Sequence, residues 1–291
     1  MTKILVTGSA GLIGRQVVKD LVKNNFDVYS GYNKTKPEFG MPIHLDLTKK
    51  AKIISVLEKI KPDIIIHLGA MTDVELCETQ KKLAVIINTE STKNLSVESE
   101  KLNSFFVYVS TDYVFDGKVG NKKEEDIPNP INFYGKTKLD GENSLKNISS
   151  PYVIIRTSTP FGIHPNKIDF PLWVKNNLES KKEISVVIDQ YTSPSFVPNI
   201  SKMILEIISK KYTGVIHLAG ATRISRYKLS KLIAENLGYG KEFLKPIKMN
   251  QMEWKAQRPQ DSSLDVSKAN KILENKPQKI EDSLKFLLNK K

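Results

Sequence analysis

Cysteine is all but missing from this 291-residue chain: Cys77 is the only one, so neither an internal disulfide nor a C-x-x-C motif can form. That suits a reducing compartment. Arginine is scarce too. Arg15, Arg156, Arg223, Arg226 and Arg258 are the only arginines among 45 basic residues, so lysine carries the net charge of +13. The lysines are spread along the chain in short pairs, such as 49–50, 122–123 and 210–211, with no basic stripe interleaved with aromatics. This fits a solvated surface and argues against a nucleic-acid partner. The positive field still favours anionic ligands such as nucleotides. Long hydrophobic runs are missing; stretches such as "DIIIHLGA" are too short to span a membrane. The opening "MTKILVTG" enters a strand-like segment without the regions of a signal peptide, so the expected location is cytoplasmic. His44, His67, His164 and His217 have no ligand spacing. They read as packed or strand-end residues, and no metal is expected. Cys77 reads as a small packed residue.

What is present is alternation. Short apolar, β-branched runs occur at 3–7, 27–31, 63–68, 104–110, 152–156, 184–188 and 214–218. The first four are apolar at nearly every position, the pattern of strands buried on both faces. Helical spacing falls between them: Ile13, Val17, Leu21 and Val22 in 12–24, then Ile53, Val56, Leu57 and Ile60 in 49–60. A third, long helix is expected over 80–101. The fold class is therefore α/β, a doubly wound parallel Rossmann sheet. Beyond residue 157 prolines punctuate the chain. Residues 1–157, with a returning segment near 191–220, are expected to form the sheet domain, and 158–190 with 221–291 a smaller domain beside it.

"VTGSAGLIG" places Gly8, Gly11 and Gly14 after the first strand, with Leu12 and Ile13 opening a helix. Such a loop lets backbone approach a pyrophosphate at a helix N-terminus. The plainer alternative is a structural turn. A P-loop is excluded, because no G-K-[ST] follows. At the end of the second strand Asn33 and Lys34 stand where an acidic residue would hold the ribose of NAD. Lys34, assisted by Arg15, would suit the 2′-phosphate of NADP(H), unless it is simply solvated.

In "NPINFYGKTKLDGE", Tyr134 and Lys138 lie four apart on a helix expected to begin near 132, so they share a face. An ammonium beside a phenol would lower its pKa toward the working range. "YVSTDYVFDG" puts Ser110, Thr111 and Asp112 at a strand end, where parallel sheets bind ligands. A Tyr–Lys pair alone is nearly uninformative; the ordered set of glycine loop, strand-end hydroxyl and Tyr–Lys helix is not.

With these stretches, and with "DIIIHLGAMTDVELCE", "IIRTS", "GVIHLAG" and "QRPQDSSLDVSK", the sequence resembles an extended short-chain dehydrogenase/reductase of the dTDP-4-dehydrorhamnose reductase branch. The matching stretches span residues 8–268. The resemblance implies a Rossmann domain with a smaller C-terminal nucleotide-sugar domain. It implies NADPH-dependent reduction of a 4-keto sugar, dTDP-4-dehydro-L-rhamnose to dTDP-L-rhamnose. It makes Tyr134 the proton donor, Lys138 the residue on the nicotinamide ribose, Thr111 a hydrogen-bond partner of the keto oxygen, and Asn88 a support for the lysine through water. Asp46, with Leu47 beside it, matches the adenine-facing position; Gly69, Ala70 and Thr72 match the loop under the cofactor; Val74 and Tyr113 match substrate contacts. Arg258 is a candidate for the nucleotide-sugar diphosphate, with a surface or interdomain ion pair equally open. Thr159 departs from the family, which carries a Trp there, and this leaves the sugar open.

The regulatory subunit of methionine adenosyltransferase resembles the same stretches, so a cofactor-binding partner of that enzyme is the reading from another class. Asp112 favours the reductases, because the regulatory subunits tend to have Asn there. A reductase or epimerase of another nucleotide sugar is a third reading. A homodimer is compatible with all three.

Overall fold

The computed structural model describes residues 1–288. Strands β1 (Lys3–Thr7), β2 (Asp27–Tyr32), β3 (Met41–His44), β4 (Ile64–His67), β5 (Phe105–Thr111) and β6 (Tyr152–Thr157) join strand Gly214–His217 in one seven-stranded sheet. Every pairing is parallel, and the spatial order is 214–217, β6, β5, β4, β1, β2, β3. The order reverses between β1 and β4, which opens a crevice at the carboxyl ends of those strands.

Alternate residues of the strands serve opposite faces. Ile4, Val6, Ile66, Val107 and Ile155 pack with α1 (Leu12–Lys23) and helix Val197–Lys210. Leu5, Ile65, Phe106 and Ile154 pack with α2 (Lys50–Ile60). The stripe of α2 is Ile53, Val56, Leu57 and Ile60, as its spacing predicts. In α1 the buried stripe is Gly14, Val17, Val18 and Leu21, whereas Val22 is 41% exposed. A stripe at i, i+3, i+4 and i+7 from Gly14 ends at Leu21, so Val22 turns outward.

Two other elements differ from expectation. "MPIH" forms β3, at the edge, where Pro42 costs no ladder bond that a central strand would need. The expected helix over 80–101 is present but carries a π-turn within it. After α3 (Val74–Thr79) and α4 (Lys81–Ala84), residues Val85–Glu90 form a π-helical turn before α5 (Ser91–Lys101). Such turns insert one residue and redirect the side chains near them. A separate hydrophobic cluster gathers Phe161, Val174, Leu178, Ile184, Leu229, Ile233 and Leu244, closed by Ile280, Leu284 and Leu287. Strand Ile184–Val187 pairs there with Leu244–Ile247 rather than with the main sheet. The C-terminal "LKFLLNKK", read as a packed amphipathic end, buries Leu284 and Leu287; its last three residues lie outside those described.

Two histidines are sealed in this fold. His67 and His217 are buried, and burial lowers each pKa from the ordinary 6.5 to about 3. A folded-state pKa below the unfolded one gives stability that is complete above the unfolded pKa and is lost as pH falls. Each histidine should therefore remove about 1.4 kcal/mol per pH unit below 6.5. Urea titrations from pH 7 to 4.5 should show that decline, and His217→Gln should make it shallower.

Candidate active site

The crevice at the strand ends is a cavity of about 800 Å³ with a smaller annex of about 200 Å³. Gly8, Gly11, Leu12, Ile13 and Gly14 line one end with Asn33 and Lys34. Gly69, Ala70, Thr72 and Val74 form the floor, and Thr111, Tyr113, Tyr134 and Lys138 line the other end. Asp46 and Leu47 line the annex. The expected residues thus line these two neighbouring cavities, apart from Asn88 and Arg258.

The glycines are required by close approach. Gly8 has φ of 64°, and a Cβ there would lie 2.7 Å from the Gly69 amide nitrogen. At Gly11 a Cβ would meet only Gly8 O, at 3.0 Å, and Lys167 Nζ, at 3.9 Å. Its backbone is open to the cavity, as a cradle for phosphate oxygens must be.

A directed chain of hydrogen bonds sits beneath this floor. Thr7 Oγ1 accepts from the Leu68 and Gly69 amides at 3.2 and 3.0 Å, so its own hydrogen goes to His67 Nδ1 at 2.7 Å. His67 Nε2 then carries the proton and donates to Thr92 Oγ1 at 3.0 Å, and Thr92 donates to Asn88 O at 2.7 Å. Each hydroxyl has a single hydrogen, which fixes the tautomer. In the π-turn, the Asn88 side chain accepts from Met71 N and donates to Met71 O and Thr137 Oγ1. Asn88 therefore ties the cofactor-side loop to the helix of Tyr134, standing behind the cavity.

That helix, α6 (Phe133–Leu145), starts where Asn132 Oδ1 accepts from Gly135 N at 2.8 Å. Tyr134, in its first turn, and Lys138, one turn further on, both line the cavity. Lys138 Nζ donates to Val109 O at 2.9 Å and lies 4.2 Å from the centre of the Tyr108 ring. Burial brings its pKa down to about 7, against the pull of Glu142. Burial raises that of Tyr134, with the neighbouring Thr111 hydroxyl opposing this. The lowering of the phenol by the ammonium does not occur here. Desolvation dominates, and Lys138 is turned to the Val109 carbonyl. Thr111 Oγ1 accepts from Tyr113 N at 3.2 Å and donates to Asp112 Oδ1 at 3.0 Å. Burial raises the Asp112 pKa, with Ser262, Ser158 and Thr111 hydroxyls opposing.

Sequence reasoning named Thr159 only as a departure from the family, and it missed Pro160, Asp169 and Arg226; all four line the cavity. Pro160 and Asp169 flank the loop after β6 and Arg226 opens a helix more than fifty residues on, so no single motif joins them. Thr159 has φ of 41°, costly for a β-branched residue and of the kind that collects at ligand sites.

A Rossmann crevice carrying a tyrosine, a lysine and a strand-end threonine invites comparison with known proteins. The RmlD substrate binding domain family matches residues 1–291. The chain belongs to that family. Its relatives include the dTDP-4-dehydrorhamnose reductase of Aggregatibacter actinomycetemcomitans, 31% identical and covering 98% of each chain. Methionine adenosyltransferase 2 subunit beta of Xenopus tropicalis is 28% identical over 93% of this chain and 82% of that protein. A crystal structure of dTDP-4-dehydrorhamnose reductase from Bacillus anthracis in complex with NADP superposes with a TM-score of 0.89, at 29% identity and 99% coverage of both chains. In this RmlD family member, Arg258 does not line the cavity. Its guanidinium donates to Glu75 at 2.8 Å and stacks 4.6 Å from the Trp254 ring. Arg15 is likewise held by Glu38, at 2.8 Å, under the Phe39 ring.

Proposed function

We propose that this protein is an NADPH-dependent reductase of the C4 keto group of a nucleotide-linked deoxy sugar, with dTDP-4-dehydro-L-rhamnose as substrate and dTDP-L-rhamnose as product. The observation that carries the reading is the meeting of Thr111, Tyr134 and Lys138 at one end of a cavity whose other end is the glycine cradle. The cradle fits a dinucleotide. Gly11 leaves room for phosphate oxygens, and Gly8, Gly14, Gly69, Ala70 and Thr72 border the same space. Asp46 and Leu47, in the annex, would face the adenine. The cofactor supplies hydride to C4 when bound.

The protein supplies the rest. Tyr134 stays protonated through the neutral range, because burial raises its pKa, and gives its proton to the keto oxygen. Lys138, titrating near neutrality, would supply positive charge behind that oxygen and hold the nicotinamide ribose. Thr111 has one hydrogen, which points at Asp112. Donating it to the keto oxygen takes it from Asp112, whose carboxyl holds protons more tightly than usual. Val74 and Tyr113 border the substrate, and residues 158–190 and 221–291 make up the substrate-binding portion of the chain.

The test is NADPH oxidation in the presence of freshly generated dTDP-4-dehydro-L-rhamnose. Turnover supports the reading; silence with NADPH still bound defeats it. The second reading, a regulatory partner of methionine adenosyltransferase, draws on the relative of that name, and co-purification of that enzyme would favour it. The cofactor choice has its own test. Lys34 lines the cavity with no ion-pair partner among the described residues, whereas Arg15 is paired with Glu38. Lys34→Ala should weaken NADP+ by about tenfold, the worth of one charge-assisted hydrogen bond, and leave NAD+ affinity unchanged. Equal losses for both would move Lys34 away from the 2′-phosphate.

A further inference from the structure

Arginine is so rare in this chain that each can be accounted for. Arg15 pairs with Glu38, Arg156 with Glu142, Arg223 with Asp261 and Arg258 with Glu75. Arg226 alone has no ion-pair partner and no side-chain hydrogen bond among the described residues. Yet it is the best positioned of the five to meet a ligand, because it is the one that lines the cavity.

Its placement is built. Arg226 opens helix Arg226–Asn236, whose cap is Ser225 Oγ accepting from Lys228 N at 3.2 Å. Its backbone amide donates to Gln190 O at 3.0 Å. The guanidinium lies 4.6 Å from the centre of the Phe170 ring, so one face rests on an aromatic plane and the edge is left for an acceptor. Burial disfavours its charge; Tyr113 and Asp112 nearby favour it, and Arg258 works against it. The carboxylates near it are already engaged. Asp112 accepts from Thr111 and from Ser158 Oγ at 2.7 Å. Asp169 accepts from Gly162 N at 2.7 Å and Leu172 N at 3.0 Å. A half-buried guanidinium with free donors, at the end of the cavity where the carbonyl is reduced, lacks only an anion.

We propose that Arg226 is the anchor for an anionic oxygen group on the substrate, so that the sugar is held by a charge as well as by its keto group. This rests on the nucleotide-sugar reading above. Two groups have the required chemistry, the sugar-proximal phosphate and a carboxylate on the sugar ring. Either would lie flat against the guanidinium edge, and Arg258, already bonded to Glu75, would not compete.

Calorimetry on the full chain, with wild type, Arg226→Gln and Arg226→Lys, separates the outcomes. The probes are dTDP, UDP-glucose, UDP-glucuronate and NADPH. With a phosphate anchor, Arg226→Gln should weaken dTDP about tenfold or more, as expected for a lost charge-assisted bond, and Arg226→Lys should recover part of it. With a carboxylate anchor, dTDP affinity should stay and a preference for UDP-glucuronate over UDP-glucose should vanish. NADPH affinity should be unchanged in both variants, which also reports that they fold. Unchanged affinities for every sugar-side probe would overturn the anchor, and so would a loss for NADPH as large as that for dTDP. A wild type that binds NADPH but none of the sugar-side probes would instead overturn the nucleotide-sugar reading, and the anchor with it.

Discussion

Tyr134→Phe should reduce kcat by about 10²–10⁴, the usual worth of a positioned general acid, and leave NADPH affinity within a factor of two. The change is confined to one oxygen. The Tyr134 ring packs edge-on against Tyr113 with centroids 6.1 Å apart, a contact that phenylalanine keeps. Helix α6 keeps its Asn132 cap, so Lys138 stays where Val109 O holds it. What disappears is the proton that the developing alkoxide needs. Thr111→Val should cost less, since its hydrogen is shared with Asp112 and Tyr134 remains to donate. Steady-state rates with single-turnover controls would check the ranking. If Tyr134→Phe retained more than a tenth of wild-type kcat, the proton would have to come from elsewhere, and water along the cavity would be the next candidate.

Glu142→Ala should cost about 3–5 kcal/mol of stability, the penalty for stranding a buried charge. Arg156 Nε and NH2 donate to Glu142 Oε1 and Oε2 at 3.0 and 2.8 Å, and Ser110 Oγ donates to Oε1 at 2.6 Å. Their side chains are 5% and 3% exposed. Truncating the glutamate leaves the guanidinium with only the Phe115 face and a long contact to Glu124 O. The pair also fastens α6, the helix of Tyr134 and Lys138, to β5 through Ser110 and to β6 through Arg156. Urea denaturation should therefore show the loss, and kcat should fall even where the variant is folded. The double variant Glu142→Leu with Arg156→Met should recover most of the stability, because no charge is left unpaired. A single substitution costing under 1 kcal/mol would mean that water reaches Arg156.

Much of this was legible in the sequence because it depends on local periodicity. β1, β4 and β5 are apolar at nearly every position and lie in the sheet interior; α2 buries the stripe its spacing gives; the helix of Tyr134 begins at the cap residue Asn132. Other features escaped because their causes are not local. β3 contains Pro42 and few buried side chains, and becomes a strand only because an edge has room beside β2. The π-turn at Val85–Glu90 sits inside a continuous helical segment, and nothing in the local spacing marks it. Leu244–Ile247 is a strand because Ile184–Val187 offers it a partner.

The sequence by itself determined the sheet, the glycine turn and the face shared by Tyr134 and Lys138, since these follow from periods of 2 and 3.6 residues and from backbone freedom at Gly8. The tertiary structure alone decided the electrostatics. Spacing suggests that Lys138 lowers the pKa of Tyr134, whereas burial of both groups raises the phenol and lowers the amine. It also decided which arginine is free. Arg258 stands in the more suggestive motif, but Glu75, 183 positions away, claims it, while Arg226 is left facing the cavity. Charge and burial are sums over neighbours that the chain brings together only on folding, so no reading along one dimension can supply them.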